Sequence, residues 1–86
     1  MTRTDVTYGQ LDKALLSLGF RCRTVDLDGQ ARVYELEARP EATIILPAFA
    51  GQDRVLDYHL AAVRTTLDLN GIADPREFAA RLKKAA

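Results

Sequence analysis

The stretch from Phe20 to Glu37 constrains this chain more than any other. Side chains alternate through Phe20-Arg21-Cys22-Arg23-Thr24-Val25 and again through Arg32-Val33-Tyr34-Glu35-Leu36-Glu37, with Asp28-Gly29 between them as turn chemistry. Two such runs around a turn predict a β-hairpin. Its register can be argued from charge, because a slip of one residue moves every side chain to the opposite face. A two-residue loop would set Phe20 against Glu37 and Arg23 against Tyr34, mixing apolar and charged groups on both faces. One more loop residue sorts them. Phe20, Cys22 and Thr24 then meet Ala38, Leu36 and Tyr34 on one face, while Arg21, Arg23 and Val25 meet Glu37, Glu35 and Val33 on the other. Each cross-strand pair contributes roughly 0.2–1 kcal/mol, so the second arrangement is expected. Asp26 then faces Arg32 near the hairpin's end, as a rim ion pair of little weight.

The flanking segments read as helices and one further strand. Thr7 and Gln10 form a capping box with Val6 and Leu11 as its hydrophobic staple, and Leu11, Leu15 and Leu18 make one apolar stripe ending at Gly19. Arg39-Pro40-Glu41 reads as a turn, and Ala42 to Leu46 as a third strand closed by Pro47, with Ile44 and Leu46 inward and Thr43 and Ile45 outward. A second helix, beginning near Asp53 or Asp57, carries Leu56, Leu60, Val63 and Leu67 and closes on Asn70-Gly71. A third has Asp74 as cap, Pro75 at its first position, Glu77 to complete a capping box, and a stripe of Phe78, Leu82 and Ala85. The expectation is a single α+β domain over residues 1–86. Its two layers run α-β-β-β-α(-α), a three-stranded antiparallel sheet with helices on one face, so the other face meets water or a partner.

Composition narrows the function classes. Twelve Lys and Arg balance twelve Asp and Glu, which removes the long-range field expected of a nucleic-acid or membrane-surface binder, though a local patch could survive it. One cysteine excludes an internal disulfide, and with one histidine it leaves no basis for a zinc site. The longest apolar run, Ile44 to Ala50, is too short for a membrane span, and Met1 to Asp5 lacks the apolar stretch of a signal peptide. A cytoplasmic location is therefore the expectation. No phosphate loop, metal-ligand spacing or nucleotide fingerprint is present, so no cofactor or metal is expected.

The Leu18-Gly19-Phe20 helix end, the hairpin glycine Gly29, the strand ending Leu46-Pro47 and the Val63…Leu67…Gly71 helix resemble the HicA family, over about residues 7 to 80. HicA proteins are small mRNA-cleaving toxins of bacterial toxin–antitoxin pairs, silenced by a HicB partner. The resemblance implies a fold similar to a double-stranded-RNA-binding domain. It does not carry the activity across. The family's catalytic histidine follows the hairpin glycine in a Gly-Ser-His pattern, where this chain reads Gly29-Gln30-Ala31. Many members also place a histidine two residues after the proline ending strand three, where this chain has Phe49. Metal-free RNA cleavage needs a positioned group that exchanges a proton near neutral pH, and neither alanine nor phenylalanine does.

The remaining candidates for chemistry have structural readings. His59 lies at the border of the second helix's apolar stripe, and Asp57, two residues away, points elsewhere, so it reads as a half-exposed helix histidine rather than a relocated general base. Cys22, between Phe20 and Thr24, reads as a buried, inert thiol. Asp53, Asp57, Asp68 and Asp74 read as helix caps and solvated faces. No catalytic residue is assigned. The outward sheet face is the candidate site. It carries Arg21 and Arg23, paired with glutamates but open to nucleic-acid contact, at one end, and Val25, Leu27, Ala31, Val33 and Ile45 at the other. Partner contact, ordinary exposure of β-branched residues, and cover by the chain's own tail are its three readings. The expected function is a catalytically inactive HicA-like binding module for a protein partner, either a HicB-like antitoxin or a second copy of itself. The alternative is an RNA-binding or mRNA-cleaving toxin.

Overall fold

Thr7 begins the first helix as its side chain dictates. Its Oγ1 accepts the Gln10 amide at 3.1 Å while Gln10 Oε1 accepts the Thr7 amide at 3.2 Å, so both halves of the capping box are made. A computed structural model describes residues 3–26, 30–47 and 51–85. In it α1 spans Tyr8–Ser17, and Gly19 turns the chain away at φ 98°, a conformation that favours glycine.

The hairpin follows as β2 (Arg21–Asp26) and β3 (Gln30–Leu36), with β4 (Arg39–Pro47) on the far side of β3, giving the antiparallel order β2-β3-β4. The expected face assignment holds, with Phe20, Tyr34, Ala42, Ile44 and Leu46 all buried. The register, however, sits two residues from the expected one. Cys22 lies opposite Tyr34 rather than Leu36, Thr24 opposite Arg32, Val25 opposite Ala31, and Asp26 opposite Gln30 rather than Arg32. A shift of two preserves every side chain's face, so charge sorting could not distinguish the two arrangements.

Two boundaries also move. The turn after β3 is Glu37-Ala38, and Arg39-Pro40-Glu41 belongs to β4. Pro40 is accommodated because the β3–β4 register shifts between Tyr34 and Leu36, so the regular ladder is interrupted next to it. The segment ahead of the second helix is a short strand, β5 (Arg54–Leu56), which pairs antiparallel with an N-terminal strand, β1 (Arg3–Thr7). Thr4 Oγ1 reinforces this ribbon by donating to the Val55 carbonyl at 3.0 Å. The second helix, α2, runs Asp57–Leu69 and buries Leu60, Val63 and Leu67. The third, α3, spans Pro75–Lys84, with the Asp74 carboxylate accepting the Glu77 amide at 2.8 Å.

One apolar cluster joins the layers: Leu11, Ala14 and Leu15 from α1, Tyr34, Ile44 and Leu46 from the sheet, Val63 and Leu67 from α2, Phe78 and Leu82 from α3. Polar bonds then fix α3 beside α1. Gln10 Nε2 donates to the Leu82 carbonyl at 3.0 Å and Arg81 Nη1 to the Ser17 carbonyl at 3.1 Å. The result is an α+β fold with the three helices on one face of the three-stranded sheet, and among the described residues the opposite face carries no helix. Among the described residues, no helix is long and apolar enough to cross a membrane.

Candidate interaction surface

Strand alternation presents Arg21, Arg23 and Val25 from β2, Ala31, Val33 and Glu35 from β3, and Thr43 and Ile45 from β4 on the face away from the helices. The two ion pairs expected on this face are present, but as diagonal neighbours, because Arg21 lies opposite Glu35 and Arg23 opposite Val33. Arg21 Nη2 stands 3.6 Å from Glu37 Oε2, and Arg23 Nε donates to Glu35 Oε1. These pairs are exposed and add little to stability, yet each glutamate neutralises the arginine beside it.

The apolar end of the face is less open than alternation alone suggests. Val33 is 5% exposed and Ala31 8%. Both lie on the central strand, and Val33 has Arg23 and Ile45 directly opposite on its two sides. Val25 is half-buried, whereas Ile45 is 59% exposed. Leu27, with the Asp28-Gly29 turn and Phe49, lies outside the described residues. The exposed apolar contribution thus comes from Ile45, with Val25 beside the charged end.

Chemistry elsewhere is tied up in structure. His59 is half-buried, and its Nδ1 is 3.0 Å from the hydroxyl oxygen of Tyr8, a residue the N-terminus of α1 holds in the core. The Tyr58 ring packs against it at 4.3 Å between centroids. This hydroxyl–imidazole contact was not expected from sequence, since 51 residues separate the two side chains. Cys22 is a free, half-buried thiol packed against the core. A second unforeseen contact joins α1 to the sheet: the Tyr34 hydroxyl donates to Asp12 Oδ1 at 2.7 Å. Burial, and next the Asp12 carboxylate, push the Tyr34 phenol well above its ordinary range. The inward position of Tyr34 was legible; its partner on a helix was not. No group of three or more metal-ligating side chains occurs among the described residues.

Between the β4 edge and α2 lies a groove, with Thr43, Ile44, Ile45 and Leu46 on its strand wall and His59, Ala62, Val63 and Thr66 on its helix wall. No protein-family model, curated protein or solved structure matches this chain.

Proposed function

We propose that this chain is a HicA-like binding module without ribonuclease chemistry, and that it contacts a protein partner through the outer face of its three-stranded sheet. The partner is a HicB-like protein or a second copy of the chain. The observation that carries this reading is the pairing of Arg21 with Glu37 and of Arg23 with Glu35 beside an exposed Ile45. A face that binds phosphates needs cations free to displace counterions. A face of neutralised charges bordering apolar side chains fits the polar rim and apolar centre of a protein contact. With the β1–β5 ribbon set aside, the order α1, β2, β3, β4, α2 supports the resemblance, and Gln30-Ala31, where the family's histidine falls, argues against its activity.

The test is affinity capture from the native host, with mass spectrometry of bound protein and bound RNA, using the wild type and Val25→Glu. The expected outcome is a protein retained by the wild type and depleted about tenfold by Val25→Glu, a loss of about 1.4 kcal/mol, in a variant whose circular dichroism is unchanged. Equal retention by both removes the face from the contact. Enrichment of RNA in place of protein favours the toxin reading.

A further inference from the structure

The three-stranded sheet has two edges, and the chain guards them unequally. An edge strand presents unpaired N–H and C=O groups that invite another strand, and proteins protect such edges with charges, prolines and bulges. On β2 the exposed Arg21, Arg23 and Asp26 are spread along the strand. On β4 the guards stand only at the ends: Arg39, Pro40 and Glu41 with the register shift at one, Pro47 at the other. Between them Ala42-Thr43-Ile44-Ile45-Leu46 has no charge, proline or glycine. Ile45 is 59% exposed within this run, and the groove beside α2 leaves that side of the strand open among the described residues.

We propose that a second copy of this chain docks at this edge. The two β4 strands pair antiparallel about a two-fold axis at Ile44 and join two three-stranded sheets into one of six. The sequence of the run selects this occupant. A two-fold contact must be self-complementary, and centring it on Ile44 sets Thr43 against the partner's Ile45 and Ala42 against the partner's Leu46. The whole uncharged run then meets its own image. Ala42, Ile44 and Leu46 stay on the helix side of both sheets, while Thr43 and Ile45 stay on the outer side. Centring on Thr43 would instead oppose Glu41 and Ile45, a charge against an apolar side chain. Both contacts involve Ile45, but the pairing uses the β4 backbone edge and is read with Thr43, whereas the partner contact above is read with Val25 on the opposite edge strand, so their failures are distinguishable.

The experiment is sedimentation equilibrium of the full chain over a range of concentrations, with Thr43→Lys and Thr43→Val, followed by hydrogen exchange. Thr43 is exposed, so neither substitution disturbs the core. The wild type and Thr43→Val should rise from 9.5 kDa towards twice that mass. Thr43→Lys should need at least tenfold more chain to reach the same average mass. Amides of β4 should exchange more slowly as the wild type is concentrated, and those of β2 should not change. Three results overturn the proposal: a wild type that stays monomeric to about millimolar chain, a Thr43→Lys variant that assembles as well as the wild type, or concentration-dependent protection confined to β2.

Discussion

At the scale of single residues, Tyr34 is the most consequential polar side chain. It is fully enclosed at the centre of the sheet, and its hydroxyl donates to Asp12 Oδ1. Burial, reinforced by the adjacent carboxylate, raises its phenol above the ordinary value of 10.0, so the folded state strongly prefers the neutral form. The sign of the pH effect follows. Below pH 10 both states hold the proton and this contribution is complete; above it the unfolded chain releases a proton that the native chain keeps, and stability falls as pH rises. One such group accounts for a slope of up to about 1.4 kcal/mol per pH unit. Urea midpoints measured between about pH 9 and 11 should therefore drop for the wild type. Tyr34→Phe should lose about 1 kcal/mol at neutral pH, where the hydrogen bond is missed, and show a shallower alkaline decline. An unchanged decline in the variant would assign the effect to other groups.

At the scale of elements, α1 shows which local signals are legible and which contacts are not. Its capping box, staple and glycine stop are local, and each is where the side chains place it. What the sequence conceals is that the first turn docks on a distant segment. The Tyr8 amide donates to the Asp53 carbonyl at 2.8 Å and the Gly9 amide to the Gly51 carbonyl at 2.9 Å. A β-carbon on Gly9 would stand 3.0 Å from that same Gly51 oxygen. Glycine to alanine inside a helix ordinarily gains about 0.5–1 kcal/mol. Here the added methyl presses on the carbonyl that caps the helix, so Gly9→Ala should lower stability by about 1 kcal/mol; a rise in thermal midpoint would refute the close packing. The same reasoning explains why β1 and β5 were not anticipated. Arg3-Thr4-Asp5-Val6-Thr7 and Arg54-Val55-Leu56 are too short to alternate clearly, and their pairing spans about fifty residues of sequence. Pro40 misled in a different way, since a proline that forbids a regular ladder is compatible with a strand whose partner has already slipped register.

At the scale of the whole molecule, the face assignment of the sheet was legible because ion pairing and apolar burial impose the same parity, whereas the register was not, because a slip of two residues keeps that parity. The candidate surface was legible to the same degree. Arg21, Arg23, Val25 and Ile45 lie on the outer face, but the near-complete burial of Ala31 and Val33 comes from their place on the central strand, which alternation does not report. The electrostatics of that face decide between partners. Lys and Arg equal Asp and Glu over the chain, and the two outer-face arginines of β2 are each matched by a glutamate, so on the proposed reading RNA gains little counterion release from that face. Double-stranded RNA is held mainly by contacts to phosphates and 2′-hydroxyls. Titration of the chain into a duplex of about 16 base pairs should therefore show no binding tighter than about 100 μM at 150 mM salt, at the weak end of non-specific association. Glu35→Gln with Glu37→Gln supplies the converse. Freeing Arg21 and Arg23 should create a measurable, salt-sensitive affinity, with a slope of log K against log salt near −2 for two phosphate contacts. Micromolar binding by the wild type with a steep slope would mean that the protein presents its cations elsewhere, and the outer face would lose its claim to be the recognition surface.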